Sequence, residues 1–147
     1  MKWLLIVMGT LAILFALMAI IGLFVSREHR ATSTITLRQP AEAIWNVVRD
    51  IGGAGFDVPV IVLEALPPRK LVTKIDPRAR EAFGGTWVYE LTPDAAGTRV
   101  SVTETGWIGN PVFRFMSRFL FGYYGSLDKY LRALARRFGE AVEPSHS

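Results

Sequence analysis

The sequence predicts an α+β domain behind one apolar helix, with an antiparallel sheet of about five strands packed on a long C-terminal helix. Three observations predict it. The chain begins with an uncharged apolar stretch from Trp3 to Val25. Strand-like segments follow, four of them in succession and joined by short turns. The last patterned segment, Pro111 to Phe138, keeps one wide apolar face at helical spacing.

The first stretch exceeds the roughly 20 apolar residues that cross a hydrocarbon core. It ends Leu23-Phe24-Val25-Ser26-Arg27, with bulky residues where a signal-peptidase site needs small ones. We therefore read residues 1–30 as a transmembrane helix (span about 3–25) and linker, residues 31–140 as one domain, and residues 141–147 as a polar tail. Lys2 flanks one end of the span and Arg27 and Arg30 the other, and Arg38 tips the positive-inside rule toward a cytoplasmic domain on a single-pass membrane protein.

Ser26 to Thr32 reads as a short polar linker. Thr34 to Arg38 alternates polar and apolar residues, as a half-buried strand does. Gln39-Pro40-Ala41-Glu42 opens a helix, since proline in the first turn loses no hydrogen bond. Ile44, Val47, Val48 and Ile51 continue it until Gly52-Gly53-Ala54-Gly55 stops it. Val58 to Leu66, Lys70 to Asp76, Gly84 to Thr92 and Thr98 to Trp107 are the four successive strands, with Trp87, Tyr89 and Leu91 on one face. Pro77 to Phe83 is a longer, basic loop. The final helix has Asn110 as its cap, Pro111 in its first turn and Gly139 just past its end. A continuous helix over 111–138 would run about 42 Å.

From about Thr34 to Phe138 the chain resembles the START/polyketide cyclase-like (SRPBCC) superfamily. The resemblance is carried by Gln-Pro-Ala-Glu-Ala-Ile-Trp (39–45), Val-Leu-Glu-Ala-Leu-Pro-Pro-Arg-Lys-Leu-Val (62–72), Gly-Gly-Thr-Trp-Val-Tyr-Glu-Leu-Thr-Pro (84–93), Gly-Thr-Arg-Val-Ser-Val-Thr-Glu (97–104) and Asn-Pro-Val-Phe-Arg-Phe (110–115), in that order and spacing. It implies a helix-grip fold with a cavity between sheet and long helix that holds lipids, sterols, polyketides or similar molecules. The chain departs from that pattern at Gly52 to Asp57, which stands where the family carries a second short helix and two further strands. The departure leaves a cavity open on one side, completed by a partner, or reduced in size.

Composition excludes several chemistries. Of 147 residues none is cysteine, so thiol catalysis, disulfides and cysteine-bound metals are absent. Lys2, Arg27, Arg30 and Glu28 account for part of the 17 basic and 13 acidic residues, and the remainder is nearly balanced. No concentrated basic patch points to nucleic acid. His29 and His146 are read as solvated, which leaves no histidine base in the domain and no metal site. No cofactor is expected, because the glycine cluster follows a helix where a phosphate-cradling loop precedes one.

The carboxylates remain. Glu104 shares strand parity with Val100 and Val102 and so falls on an apolar face, where it serves as an acid or base or holds a ligand head group. The alternatives are a salt bridge to Arg99 or Arg114, or a register shift at Gly106. Glu90 is a solvent-side charge, and Glu64 is in phase with Val60 and Val62. Phe83, Trp87, Tyr89, Glu104, Trp107, Phe113, Met116 and Leu120 are the candidate ligand-binding residues, with Glu104 and Tyr89 the candidate catalytic pair. The leading expectation is membrane-anchored binding or transport of a hydrophobic small molecule or lipid. The alternatives are a cyclase/dehydratase-type enzyme and a non-catalytic module that binds a protein partner at an exposed sheet edge.

Overall fold

A computed structural model describes residues 1–51, 59–78 and 82–147. The glycine cluster at 52–55, the first residue of the expected strand from Val58 and the middle of the basic loop lie outside the described residues. The chain runs α1 (Lys2–Phe24), β1 (Glu28–Leu37), α2 (Ala41–Ile51), β2 (Val60–Leu66), β3 (Lys70–Ile75), β4 (Phe83–Asp94), β5 (Gly97–Ile108), α3 (Pro111–Met116), a π-helical turn (Ser117–Phe121), α4 (Gly125–Arg137) and β6 (Ser145–His146). Among the described residues the strands form one antiparallel sheet, ordered β2-β3-β4-β5-β1-β6. The class is α+β, as the sequence predicts.

Helix α1 has 23 residues, is apolar on every side and leaves nearly all its side chains exposed. It is long and apolar enough to cross a membrane. Its one buried residue is Gly22, and a Cβ there would overlap the backbone carbonyl of Pro111. The missing side chain lets α3 lie directly against the last turn of α1.

The polar linker is corrected. Strand β1 starts at Glu28 and pairs with β5 from Glu28↔Trp107 to Leu37↔Thr98. Its inward residues Ala31, Ser33, Ile35 and Leu37 are buried and alternate with more exposed neighbours, a pattern whose first half the charges of Glu28 and Arg30 obscure. The sheet therefore begins four residues beyond the last residue of α1. The Ile108 amide donates to the Arg27 carbonyl (2.9 Å) and the Arg114 guanidinium donates to the Val25 carbonyl (3.0 Å). Arg114 is buried in that junction.

The continuous C-terminal helix is also corrected. It breaks after Phe121 at Gly122, whose φ of +72° is left-handed backbone that a side chain disfavours. The polar tail is corrected too: residues 145–146 pair with β1 at Ser33 and Thr34, making the sheet six-stranded where about five strands were expected. Asp128 on α4 accepts from the Ser33 hydroxyl (2.8 Å) and meets His146 Nε2 (3.0 Å).

The core lies between the sheet's inner face and α2 and α4. Trp87, Tyr89 and Leu91 share a buried face of β4, as expected, against Val100 and Val102 of β5. Leu127, Tyr130, Leu131 and Leu134 supply the α4 face, and Ile44, Trp45 and Val48 the α2 face.

Candidate functional site

The β1–β5 register builds the site. Glu104 lies opposite Ala31, and Gly106 lies opposite His29. His29 and Glu104 are therefore diagonal neighbours on the inner face, within reach of long side chains. His29 Nε2 stands 3.7 Å from Glu104 Oε1. A Cβ on residue 106 would approach His29 Cε1 to 2.7 Å, so glycine is what allows the imidazole to lie across the strand. The ring stacks on Tyr123 (centroids 4.4 Å apart, 11° between planes). The expectation of a solvated histidine holds at His146, which is exposed, and fails at His29. The His29 side chain is 11% exposed, and its Nδ1 is buried with no hydrogen-bond partner among the described residues. Such an orphan costs about 1–3 kcal/mol. His146 packs on Tyr124 with ring centroids 4.0 Å apart.

Two cavities meet at Glu104. The larger, about 450 Å³, lies between His29, Phe83, Trp107, Phe113 and Tyr123. The smaller, about 250 Å³, lies between Val60, Thr73, Ile75 and Trp87. Phe83, Glu104 and Ser126 border both. The larger volume falls within the roughly 300–1,000 Å³ of small-molecule sites, and its walls have the usual makeup of apolar surface with a few polar groups. Both lie toward the end of the sheet next to α1. The opposite end, the turn between Asp94 and Gly97, is about 36 Å away at some 3.3 Å per strand residue.

The candidate residues divide. Phe83, Glu104, Trp107 and Phe113 border the larger cavity and Trp87 the smaller. Glu104 faces inward, as its parity predicts. Tyr89, Met116 and Leu120 do not border either of these two cavities. Leu120 points outward from the π-helical turn. Tyr89 is core, and burial pushes its phenol up to about 12 although a hydrogen bond with Thr73 pulls the other way. The Glu104 carboxylate adds to the upward push, so the phenol stays neutral. Glu64 pairs with Lys70 at 2.9 Å on the surface. His29, which the sequence reading set aside as solvated, and Ser126, which it did not single out, also border the larger cavity. Among the described residues no cluster of three or more His, Asp or Glu side chains is placed to hold a metal.

The arrangement has one carboxylate and one imidazole on the wall of an otherwise apolar space. It can orient a polar end while the remainder of a molecule sits against aromatic rings.

No protein-family model and no curated protein matches the chain. Solved structures do resemble it. A conserved protein from Geobacillus kaustophilus superposes with a TM-score of 0.57 at 16% identity, covering 80% of this chain and 100% of its own. A protein from Mesorhizobium loti gives 0.51 at 15%, covering 74% and 98%. One from Rhodobacter sphaeroides gives 0.50 at 12%, covering 74% and 88%. At these identities the likeness is one of fold: the chain shares its α+β architecture with these bacterial proteins.

Proposed function

We propose that the protein is a single-pass membrane protein whose helix-grip domain binds or carries a hydrophobic small molecule or lipid. The observation that carries this reading is the placement of the larger cavity at the end of the sheet that receives α1. His29 is five residues beyond the last residue of that helix and forms part of the cavity wall. An apolar ligand leaving a bilayer would travel a short way to reach it. The SRPBCC-like stretches of sequence support the same reading. So does the break at Gly122, which turns Tyr123 back over His29 instead of letting one straight helix fill the space.

Native mass spectrometry of the full chain released from detergent tests the proposal. Retention of an endogenous lipid-sized adduct, or uptake of an added fatty acid or sterol, is the expected result. A chain that stays free of adducts across such a panel argues against ligand binding.

A second reading, an enzyme of the cyclase or dehydratase kind, is favoured by the His29–Glu104 pair in place of Glu104 and Tyr89. Glu104→Gln preserves shape and removes the charge; product formation unchanged by it would remove Glu104 from that mechanism.

Arg27, Arg30, Arg114 and Arg118 all lie close to the C-terminal end of α1, against Lys2 at the other. This supports a cytoplasmic domain. Protection of the domain from protease added outside intact cells is the expected result, and digestion there would reverse the assignment.

A further inference from the structure

We infer that the segment from Arg118 to Phe121 rests in the head-group region of the bilayer that α1 spans, holding the α1 end of the domain against the membrane. The inference relies on α1 being a membrane span and is independent of any ligand in the cavity. Phe119, Leu120 and Phe121 are 56%, 62% and 69% exposed, three large apolar side chains in a row. Isolated exposed apolar residues are ordinary, whereas a contiguous group marks a contact surface.

What covers them is indicated by their neighbours. Phe119 and Arg118 share the walls of a cleft of about 440 Å³ with Phe24 and Val25, where α1 ends, and with Glu28, His29, Arg30 and Tyr123. The apolar turn thus stands level with the exit of α1 and continues its apolar surface sideways. Arg30 and Arg118 make no ion pair with the described residues, and the Arg118 guanidinium lies 5.7 Å from the centroid of the Phe119 ring. Glu28 is the one acidic residue of that cleft. Apolar and aromatic side chains beside unpaired arginines suit the boundary between acyl chains and lipid phosphates. A soluble protein partner would not require this surface to lie at the depth where the span ends.

The chain has no cysteine, so single labels are specific. Full-length protein carrying Phe119→Cys, Phe121→Cys, Leu14→Cys or Ala95→Cys, each bearing an environment-sensitive fluorophore, is reconstituted in phospholipid nanodiscs with nitroxide-bearing lipids. The expected result is loss of emission at 119 and 121 with the shallow nitroxide, loss at 14 with the deep one, and none at 95 in the far turn. Quenching at 14 without quenching at 119 and 121 overturns the inference and leaves the span intact. Quenching at none of these overturns both. Labels at 119 and 121 shielded from both lipid and aqueous quenchers overturn it in favour of a protein partner or a second copy. Arg30→Glu with Arg118→Glu is expected to reduce quenching at 121 and leave that at 14 unchanged; equal quenching at 121 would remove the phosphate contact.

Discussion

His29 Nε2 and Glu104 Oε1 come within 3.7 Å of one another across the bare backbone of Gly106. The two side chains start from different strands, and a single absent Cβ lets the imidazole lie between Tyr123 and the sheet. Gly106→Val is therefore expected to expel the ring, break the contact with Glu104 and cost about 1–3 kcal/mol as an overpacked site. Chemical denaturation reads the stability, and the His29 side-chain resonances read the ring's environment. Unchanged resonances in the variant would show that the glycine is not what seats the histidine.

Two buried phenols make stability depend on pH in the alkaline range. Burial raises Tyr89 to about 12 and raises Tyr130 well above its ordinary value. The unfolded chain ionises its tyrosines near pH 10 while the folded chain resists, so the unfolded state binds fewer protons above that pH. The stabilisation is complete below about pH 10 and is lost as pH rises through the folded values. Denaturant midpoints should fall across this window, and Tyr89→Phe should make the fall shallower. The pair differs at neutral pH. Tyr89 has Thr73 as a hydrogen-bond partner, whereas the buried Tyr130 hydroxyl has none among the described residues. Tyr89→Phe should cost about 1 kcal/mol and Tyr130→Phe should be neutral or stabilising. A larger loss at Tyr130 would mean that its hydroxyl is satisfied in solution.

Much of the fold was legible because burial imposes a period on the sequence. Trp87, Tyr89 and Leu91 fall two residues apart and are all buried, and Val100, Val102 and Glu104 point the same way. The apolar run of α1 is legible for the same reason in its extreme form, with no polar side to it. What was missed is where period and composition disagree. His29 lies on the inner face of β1, but it is flanked by Glu28 and Arg30 next to the apolar run, so polarity hid the alternation of His29, Ala31, Ser33 and Ile35. The helix break was signalled by Gly122 and Gly125 within an otherwise apolar stretch, and helical spacing on either side masked it. The two segments keep similar apolar positions while only the second, with Leu127, Tyr130, Leu131 and Leu134, reaches the core. The outward aromatics Phe119 and Phe121 look like core residues in sequence, because composition alone does not reveal the solvent a face meets.

Asp128 connects three elements. Its carboxylate accepts from the buried Ser33 hydroxyl on β1 and contacts His146 on β6, while residing on α4. The two partners should not be equal. His146→Ala removes a contact whose imidazole is 42% exposed and should cost under about 1 kcal/mol. Asp128→Ala leaves the Ser33 hydroxyl buried without its acceptor and should cost about 1–3 kcal/mol. Melting curves of the two variants and of the double variant give the coupling. A double variant no worse than Asp128→Ala is expected, since both losses pass through one carboxylate. Fully additive losses would show that the tail is held by other contacts, such as Ser145 to the Thr34 carbonyl.

Ser126 offers a way to separate the cavities from the fold. It is in the first turn of α4, is exposed, and borders both cavities alongside Phe83 and Glu104. The helix keeps its core contacts through Leu127, Tyr130, Leu131 and Leu134 whatever stands at 126. An indole at this position would fill the junction of the two volumes. Ser126→Trp is therefore expected to leave the melting temperature within about 0.5 kcal/mol equivalent of the parent, the usual range for exposed positions away from special features. It should also abolish retention of a lipid-sized adduct in native mass spectra. Ser126→Ala, which changes neither charge nor volume by much, should retain the adduct as the parent does. If Ser126→Trp folds normally and still carries the ligand, the site of binding is elsewhere, and the cleft at the end of α1 becomes the place to look for it.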